Sequence, residues 1–150
     1  MAQTCSSMTG PLARISMASK AEAYEWEFTV QNLKFHSCSE RVLLLQNIAS
    51  VNVLESIFDE CTYSASSGFG GAMALTSIFT SIVISNSNFA DCVASRGAGG
   101  AIGVSDSAEL SVTSCIFDRC VAGGGTTSVS LRRGGAVWAS ATGTISFYDA

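Results

Sequence analysis

The side chains of this sequence best suited to chemistry are its thiols. Four of the six cysteines close one recurring tetrapeptide: Phe35-His-Ser-Cys38, Phe58-Asp-Glu-Cys61, Phe89-Ala-Asp-Cys92 and Phe117-Asp-Arg-Cys120. Such thiols can pair as disulfides or ligate a metal. A structural zinc site needs four converging ligands, and the chain has no Cys-x-x-Cys and no Cys/His cluster. Neither a metal nor a cofactor is expected. His36 is the only histidine and has no acid or serine at triad spacing, so it reads as a solvated surface group. Asp59, Glu60, Asp91 and Asp118 crowd the same tetrapeptides. Glycoside hydrolysis would need two carboxylates about 5–9.5 Å apart across a groove. Asp91 and Asp118 hold different motif positions, which favours a solvated acidic edge, and no catalytic residue is assigned. Gly123-Gly-Gly125 lacks the Lys-Ser/Thr of a phosphate loop and the Asp of a calcium-binding nonapeptide. The insertion Val121 to Arg133 offers Arg132 and Arg133 beside Thr126-Thr-Ser128 as a candidate binding loop for an acidic glycan or a partner's carboxylates.

The elements that carry these groups follow from the repeat. Each Phe-x-x-Cys is preceded, seven and five residues before its Phe, by an apolar pair: Phe28/Val30, Val51/Val53, Ile82/Ile84 and Leu110/Val112. A fifth frame opens at Ile145-Ser-Phe147. Residues i and i+2 of a strand share a face, so each pair reads as a short strand with one buried side. A second element, Gly-Gly-Ala followed by an apolar residue, recurs at Gly70-Gly71-Ala-Met73, Gly99-Gly100-Ala-Ile102 and Gly134-Gly135-Ala-Val137. Val42-Leu-Leu-Leu45 fills that slot without glycine in the first full unit, and Gly10-Pro-Leu-Ala-Arg-Ile15 mimics it loosely. Frames begin at 28, 51, 82, 110 and 145, and the varying intervals fall between the motifs rather than within them.

A unit of roughly 23 residues cannot bury its apolar face alone, but units stacked about 4.8 Å apart bury it against one another. The pattern therefore predicts an all-β parallel β-helix, right-handed and three-sided, of about four to five rungs over residues 25–150. Residues 1–24 are expected to form a lead-in, either a cap or a degenerate rung, with a weak helical tendency over Ala18 to Trp26. The bare frame near Ala150 suggests a segment of a longer solenoid with further rungs. Phe35, Phe58, Phe89 and Phe117 should stack as a ladder, each contributing roughly 1.5–3 kcal/mol when buried. The same stacking brings Cys38 to Cys61 and Cys92 to Cys120 within disulfide range. A buried file of free thiols is the plainer reading. Cys115 shares the slot of Leu33, Ser56 and Ser87 and reads as packing. The glycine pairs should lie where the coil turns or where backbones approach closely.

Composition narrows the partners. A chain that is 47% hydrophobic and 13% charged folds rather than remaining disordered. It holds no run of about 18 apolar residues, so no transmembrane helix is expected. Net charge −4 with scattered basic residues gives no footprint for nucleic acid. The first twenty residues contain no apolar core of a secretory signal.

The Gly-Gly-Ala-(Met/Ile/Val) and Phe-x-x-(small or polar) alternation between Phe28 and Phe147 resembles the repeats of polymorphic outer-membrane proteins, right-handed β-helices of the pectin-lyase-like superfamily. Their second motif is usually Phe-x-x-Asn, where this chain has cysteine. The resemblance implies a surface or secreted, non-catalytic, adhesive β-helix that contacts a glycan or protein through lateral faces and loops. The alternative is a fragment of a pectin-lyase-like polysaccharide lyase or glycoside hydrolase whose catalytic rungs lie elsewhere.

Overall fold

A computed structural model describes residues 2–4, 13–16, 26–64, 68–123, 135–140 and 142–149. Every regular element among them is a strand, and every strand pairing is parallel. The chain winds as a parallel β-helix. One full winding runs through β6 (Ile57–Asp59), β7 (Thr62–Tyr63) and β8 (Met73–Ser85) before returning to β9 (Asn88–Ala90) above β6.

Three lateral sheets result. The first stacks β1 (Ala2–Thr4), β4 (Lys34–His36), β6, β9 and β13 (Ile116–Asp118) in that order. A narrow second sheet joins β7, β10 (Val93–Ala94) and β14 (Val121–Ala122). The third is broad and bent, because β5 (Leu43–Leu54) and β8 each run through two faces of the coil. The next winding divides that path into β11 (Ile102–Ser105) and β12 (Glu109–Thr113), and the last into β15 (Val137–Ser140) and β16 (Thr144–Tyr148). On the other side, β2 (Ala13–Ser16) and β3 (Glu27–Gln31) both pair with β5. Strands within residues 1–24 thus lie in register with the winding that follows. Of Ala18 to Trp26, where a helical tendency was expected, residues 18–25 lie outside the described residues and Trp26 has no helical assignment.

Register puts like on like. Phe35 pairs with Phe58, Phe58 with Phe89 and Phe89 with Phe117, and their rings stack with centroids 5.1, 4.9 and 5.0 Å apart. Val51, Ile82 and Leu110 form one further file and Val53, Ile84 and Val112 another, all fully buried. Leu43, Met73 and Ile102 line the remaining face. In the last winding the same files open to solvent: Ile145 is 45% and Phe147 50% exposed.

The corners are made by residues other than glycine. Among the described residues, twelve other than glycine hold φ between 48° and 56°, in three files. Asn32, Glu55, Asn86, Ser114 and Asp149 follow the paired-apolar strands; Ser37, Glu60, Asp91 and Arg119 follow the Phe strands; Asn47, Ser77 and Asp106 follow the Gly-Gly-Ala strands. Left-handed backbone is unfavourable for a residue with a Cβ. Here it lets the corner amide remain in the inter-winding ladder: Glu55 N–H donates to Ser85 O and Glu60 N–H to Ala90 O, both at 3.0 Å.

The glycine pairs serve another need. Gly70 and Gly99 have φ of 75° and 66°, but Gly71 and Gly100 are required by crowding. A Cβ on Gly71 would stand 2.0 Å from the Gly100 carbonyl oxygen, whereas one on Gly135 would meet nothing nearer than 3.8 Å. Gly134 lies outside the described residues.

Two stability measurements follow by chemical denaturation. Phe89→Ala should cost about 3–5 kcal/mol, a buried-aromatic truncation, while Asp118→Ala should move the midpoint little. Gly71→Ala should cost at least about 2 kcal/mol, and Gly135→Ala less than about 0.5 kcal/mol.

Candidate functional site

The chemistry-bearing residues gather on one edge, where the Phe strands end and the chain turns. Strand alternation sends Phe58 inward and Asp59 outward, and the left-handed residue after it throws Glu60 outward too. Two adjacent files arise, His36/Asp59/Ala90/Asp118 and Ser37/Glu60/Asp91/Arg119. His36 Nδ1 lies 2.9 Å from Asp59 Oδ2, so the histidine is tied to an acid one winding away. Its Nε2 is 3.8 Å from Glu60 Oε2, and Ser37 Oγ donates to the same Glu60 oxygen at 2.5 Å.

Higher on the edge, Arg119 grips Asp91 with a two-point fork, Nε to Oδ1 at 2.8 Å and an Nη to Oδ2 at 2.7 Å, and also bonds the Asp118 carboxylate. That fork is the stronger geometry for a guanidinium and a carboxylate. The hydrogen bond from Arg119 holds the Asp91 carboxyl below its ordinary 3.8, and the same bond raises Arg119. Asp91 and Asp118 therefore share one cation, and the solvated acidic edge expected from sequence is an ion-paired ridge.

Beside the ridge is an open hollow of about 420 Å³ lined by Ser37, Cys38, Ser39, Glu60, Thr62 and Ser64. Sequence reasoning did not find it, because its walls come from two windings and only the registry of corners brings them together. Close by in sequence, Arg41 is 8% exposed and lays its guanidinium over the Tyr63 ring, 3.5 Å from the centroid. Burial lowers the Arg41 pKa, opposed by Tyr63 and Glu40. Gly68 makes room for this pair: a Cβ there would stand 2.5 Å from the guanidinium. Neither Arg41 nor Tyr63 belongs to a repeating motif, so no periodic signal marks them.

The cysteines form a separate, interior file. Cys61 and Cys92 are fully buried and Cys120 is partly open. Cys61, Cys92, Cys115 and Cys120 are free thiols, while Cys38 is disulfide-bonded. The Cys38 to Cys61 pairing that stacking allowed therefore does not form. Cys92 Sγ donates toward Phe58 O at 3.5 Å and Cys120 Sγ toward Phe89 O at 3.3 Å, each a carbonyl of the preceding winding. The thiol bond with Cys92, then burial, pushes the Cys120 pKa up. Cys92 is also raised: its bond with Cys120 lowers it, but its bond with Cys61 and burial outweigh that. Cys115 is raised mainly by burial. It continues the file of Ser56 and Ser87, whose hydroxyls accept the Leu33 and Ser56 amides, and it donates to Thr113 O at 3.3 Å. Among the described residues no three His, Cys, Asp or Glu side chains converge to hold a metal. Arg132 and Arg133, the loop candidate, lie outside the described residues.

Winding, register and lateral sheets define a parallel β-helix. A family model described as a right-handed beta-helix region matches residues 8–149, and the chain belongs to that family. No curated protein and no solved structure matches the chain. No helix among the described residues is long and apolar enough to cross a membrane.

The ridge is open to measurement. Asp91 should titrate below an ordinary aspartate by carboxyl-detected NMR, and Arg119→Ala should return it toward 3.8. A depressed folded pKa stabilises above the unfolded value and loses that contribution as pH falls through the folded one. The wild-type advantage over Arg119→Ala should thus be present at neutral pH, decline as pH falls below the unfolded aspartate value, vanish below the depressed folded value, and shrink with added salt.

Proposed function

We propose that this β-helix is a non-catalytic structural and adhesive element that holds a polyhydroxylated ligand, a glycan, against the edge between its first two lateral sheets. The carrying observation is the hollow between Ser37 and Ser64, whose lining offers four hydroxyls and the Glu60 carboxylate. Hydroxyls both donate and accept, and a carboxylate accepts, which suits the donor and acceptor pattern of a sugar. Its volume of about 420 Å³ falls within the usual range of small-ligand sites. The walls sit on corners held by inter-winding hydrogen bonds such as Ser37 N–H to Asp59 O at 3.0 Å, so little ordering is needed on binding.

The neighbouring acids Asp59, Asp91 and Asp118 are engaged with His36 and Arg119. This favours recognition over hydrolysis, which needs one carboxyl protonated and a second free to act on substrate. We infer also the finer kinship with polymorphic outer-membrane protein repeats, supported by the alternation of Gly-Gly-Ala with Phe-x-x-(small or polar), and with it a place at the cell surface or outside the cell. The Cys38 disulfide supports an oxidising compartment.

The test is a panel of neutral oligosaccharides and polygalacturonate, scored for both binding and product. Wild-type protein should bind a neutral glycan, and Glu60→Gln/Thr62→Val should weaken it about ten-fold or more without moving the unfolding temperature. Turnover abolished by Asp91→Asn, or binding untouched by the double substitution, would overturn the proposal.

A further inference from the structure

The hollow beside the ridge carries a preference that its hydroxyls alone do not explain. Among the described residues its one charged lining group is the Glu60 carboxylate, and an anionic sugar would meet that charge directly. Arg41 adds no exposed cation there, being 8% exposed and laid on Tyr63. Asp59, the acid just before Glu60, is taken by His36 at 2.9 Å. Glu60 is left as the charge a ligand meets.

What stands opposite Glu60 decides which ligand fits. A carboxylate only accepts, so the proton in the contact between His36 and Asp59 sits on Nδ1, and Nε2 of the neutral ring is then a bare acceptor. That nitrogen faces Glu60 Oε2 at 3.8 Å. Two acceptors confront one another with no proton of their own to share. Ser37 Oγ donates to the same carboxylate oxygen at 2.5 Å and so holds it at the rim of the hollow. Acceptors 3.8 Å apart can both reach one nitrogen placed about 2.8 Å from each, a usual length for a charged donor. A sugar hydroxyl has one proton and can serve only one of them. An ammonium has three protons and no acceptor, and its charge complements Glu60.

We propose that the hollow takes an amino sugar, its protonated amine bridging Glu60 Oε2 and His36 Nε2 and its hydroxyls lying against Ser39, Thr62 and Ser64. The inference rests on the reading of the hollow as a glycan site and narrows it to one class of sugar. Both bridging groups are held before the ligand arrives, His36 by Asp59 and Glu60 by Ser37, each across a winding. Little side-chain freedom is lost on binding. The rim is open to water, with the Glu60 side chain 56% exposed, so the charge adds a modest selectivity that weakens with salt.

The experiment titrates the whole chain by calorimetry at neutral pH with a short glucosamine oligomer and with its fully N-acetylated, uncharged counterpart. The amine form should bind about five-fold tighter, and added salt should shrink that ratio. Glu60→Gln should bring the ratio to unity, and so should His36→Arg, which sets a fixed cation against Glu60. Asp106→Asn, an acid at a different corner, should leave the ratio unchanged. Equal binding of the two oligomers would overturn the inference while leaving glycan recognition standing. Binding of neither would overturn it too, and absence of binding across the neutral panel would take the glycan reading with it. A ratio lowered as much by Asp106→Asn as by Glu60→Gln would mean diffuse attraction to an acidic chain, which also overturns the proposal.

Discussion

One constraint organises the molecule: the in-register parallel hydrogen bonding of each winding to the next. It sets a spacing of about 4.8 Å and leaves each residue one neighbour above and one below. Because the register is kept through the Phe strands, a phenylalanine meets a phenylalanine, and rings of 0% exposure stack 4.9 Å apart at Phe58 and Phe89. The same rule builds the aliphatic files of β5, β8 and β12. Insertions are tolerated because they fall between strands, where they change the outline of a winding but not its pairing. The extra residue that separates the two halves of β8 from those of β5 shows this within a strand: the register shifts between Ile48 and Ser50 and then continues.

The constraint extends to the surface. Outward residues stack as strictly as inward ones, so charges that lie 28 residues apart in the chain, Asp91 and Arg119, become contacts. His36 with Asp59 and Ser37 with Glu60 are the equivalent contacts at a separation of 23 residues. The edge is thus a column of pairs between windings, and the hydroxyl-lined hollow beside it is formed from the corners of two of them. In the interior, the same column geometry turns separate cysteines into a file in which Cys61 and Cys92 are fully buried.

The corners are where local preference and the ladder conflict. Glu55, Glu60 and Arg119 are not residues that choose left-handed backbone, yet each adopts it. Three lateral sheets can follow one another in a short winding only if the chain bends sharply, and the bend must leave the corner amide aimed at the next winding. A single left-handed residue does both. Asn and Asp supply many of these positions, including Asn32, Asn47, Asn86, Asp91 and Asp106, which are the types that tolerate that region best. The fixed distances of Asn32 and Asn86, three before the Phe, and of Asp91, two after it, are a signal present in the sequence that the glycine pairs obscure.

Period alone determined the architecture. Alternating apolar pairs, the Phe-x-x-Cys tetrapeptide and the Gly-Gly-Ala slot mark which residues face inward, and stacking like on like is the only arrangement that buries them all. Which Phe meets which, and the place of Ser56, Ser87 and Cys115 in one file, follow from the same frame. Tertiary structure alone decided matters that depend on a rotation or a sub-ångström clearance. That Arg119 forks Asp91, that Arg41 lies on Tyr63, that Gly71 is needed for room rather than for its φ, and that Cys38 is oxidised while Cys61 is not are all of this kind. A repeat specifies which residues are neighbours; the direction each side chain takes at a corner depends on three-dimensional contacts that have no period in the chain.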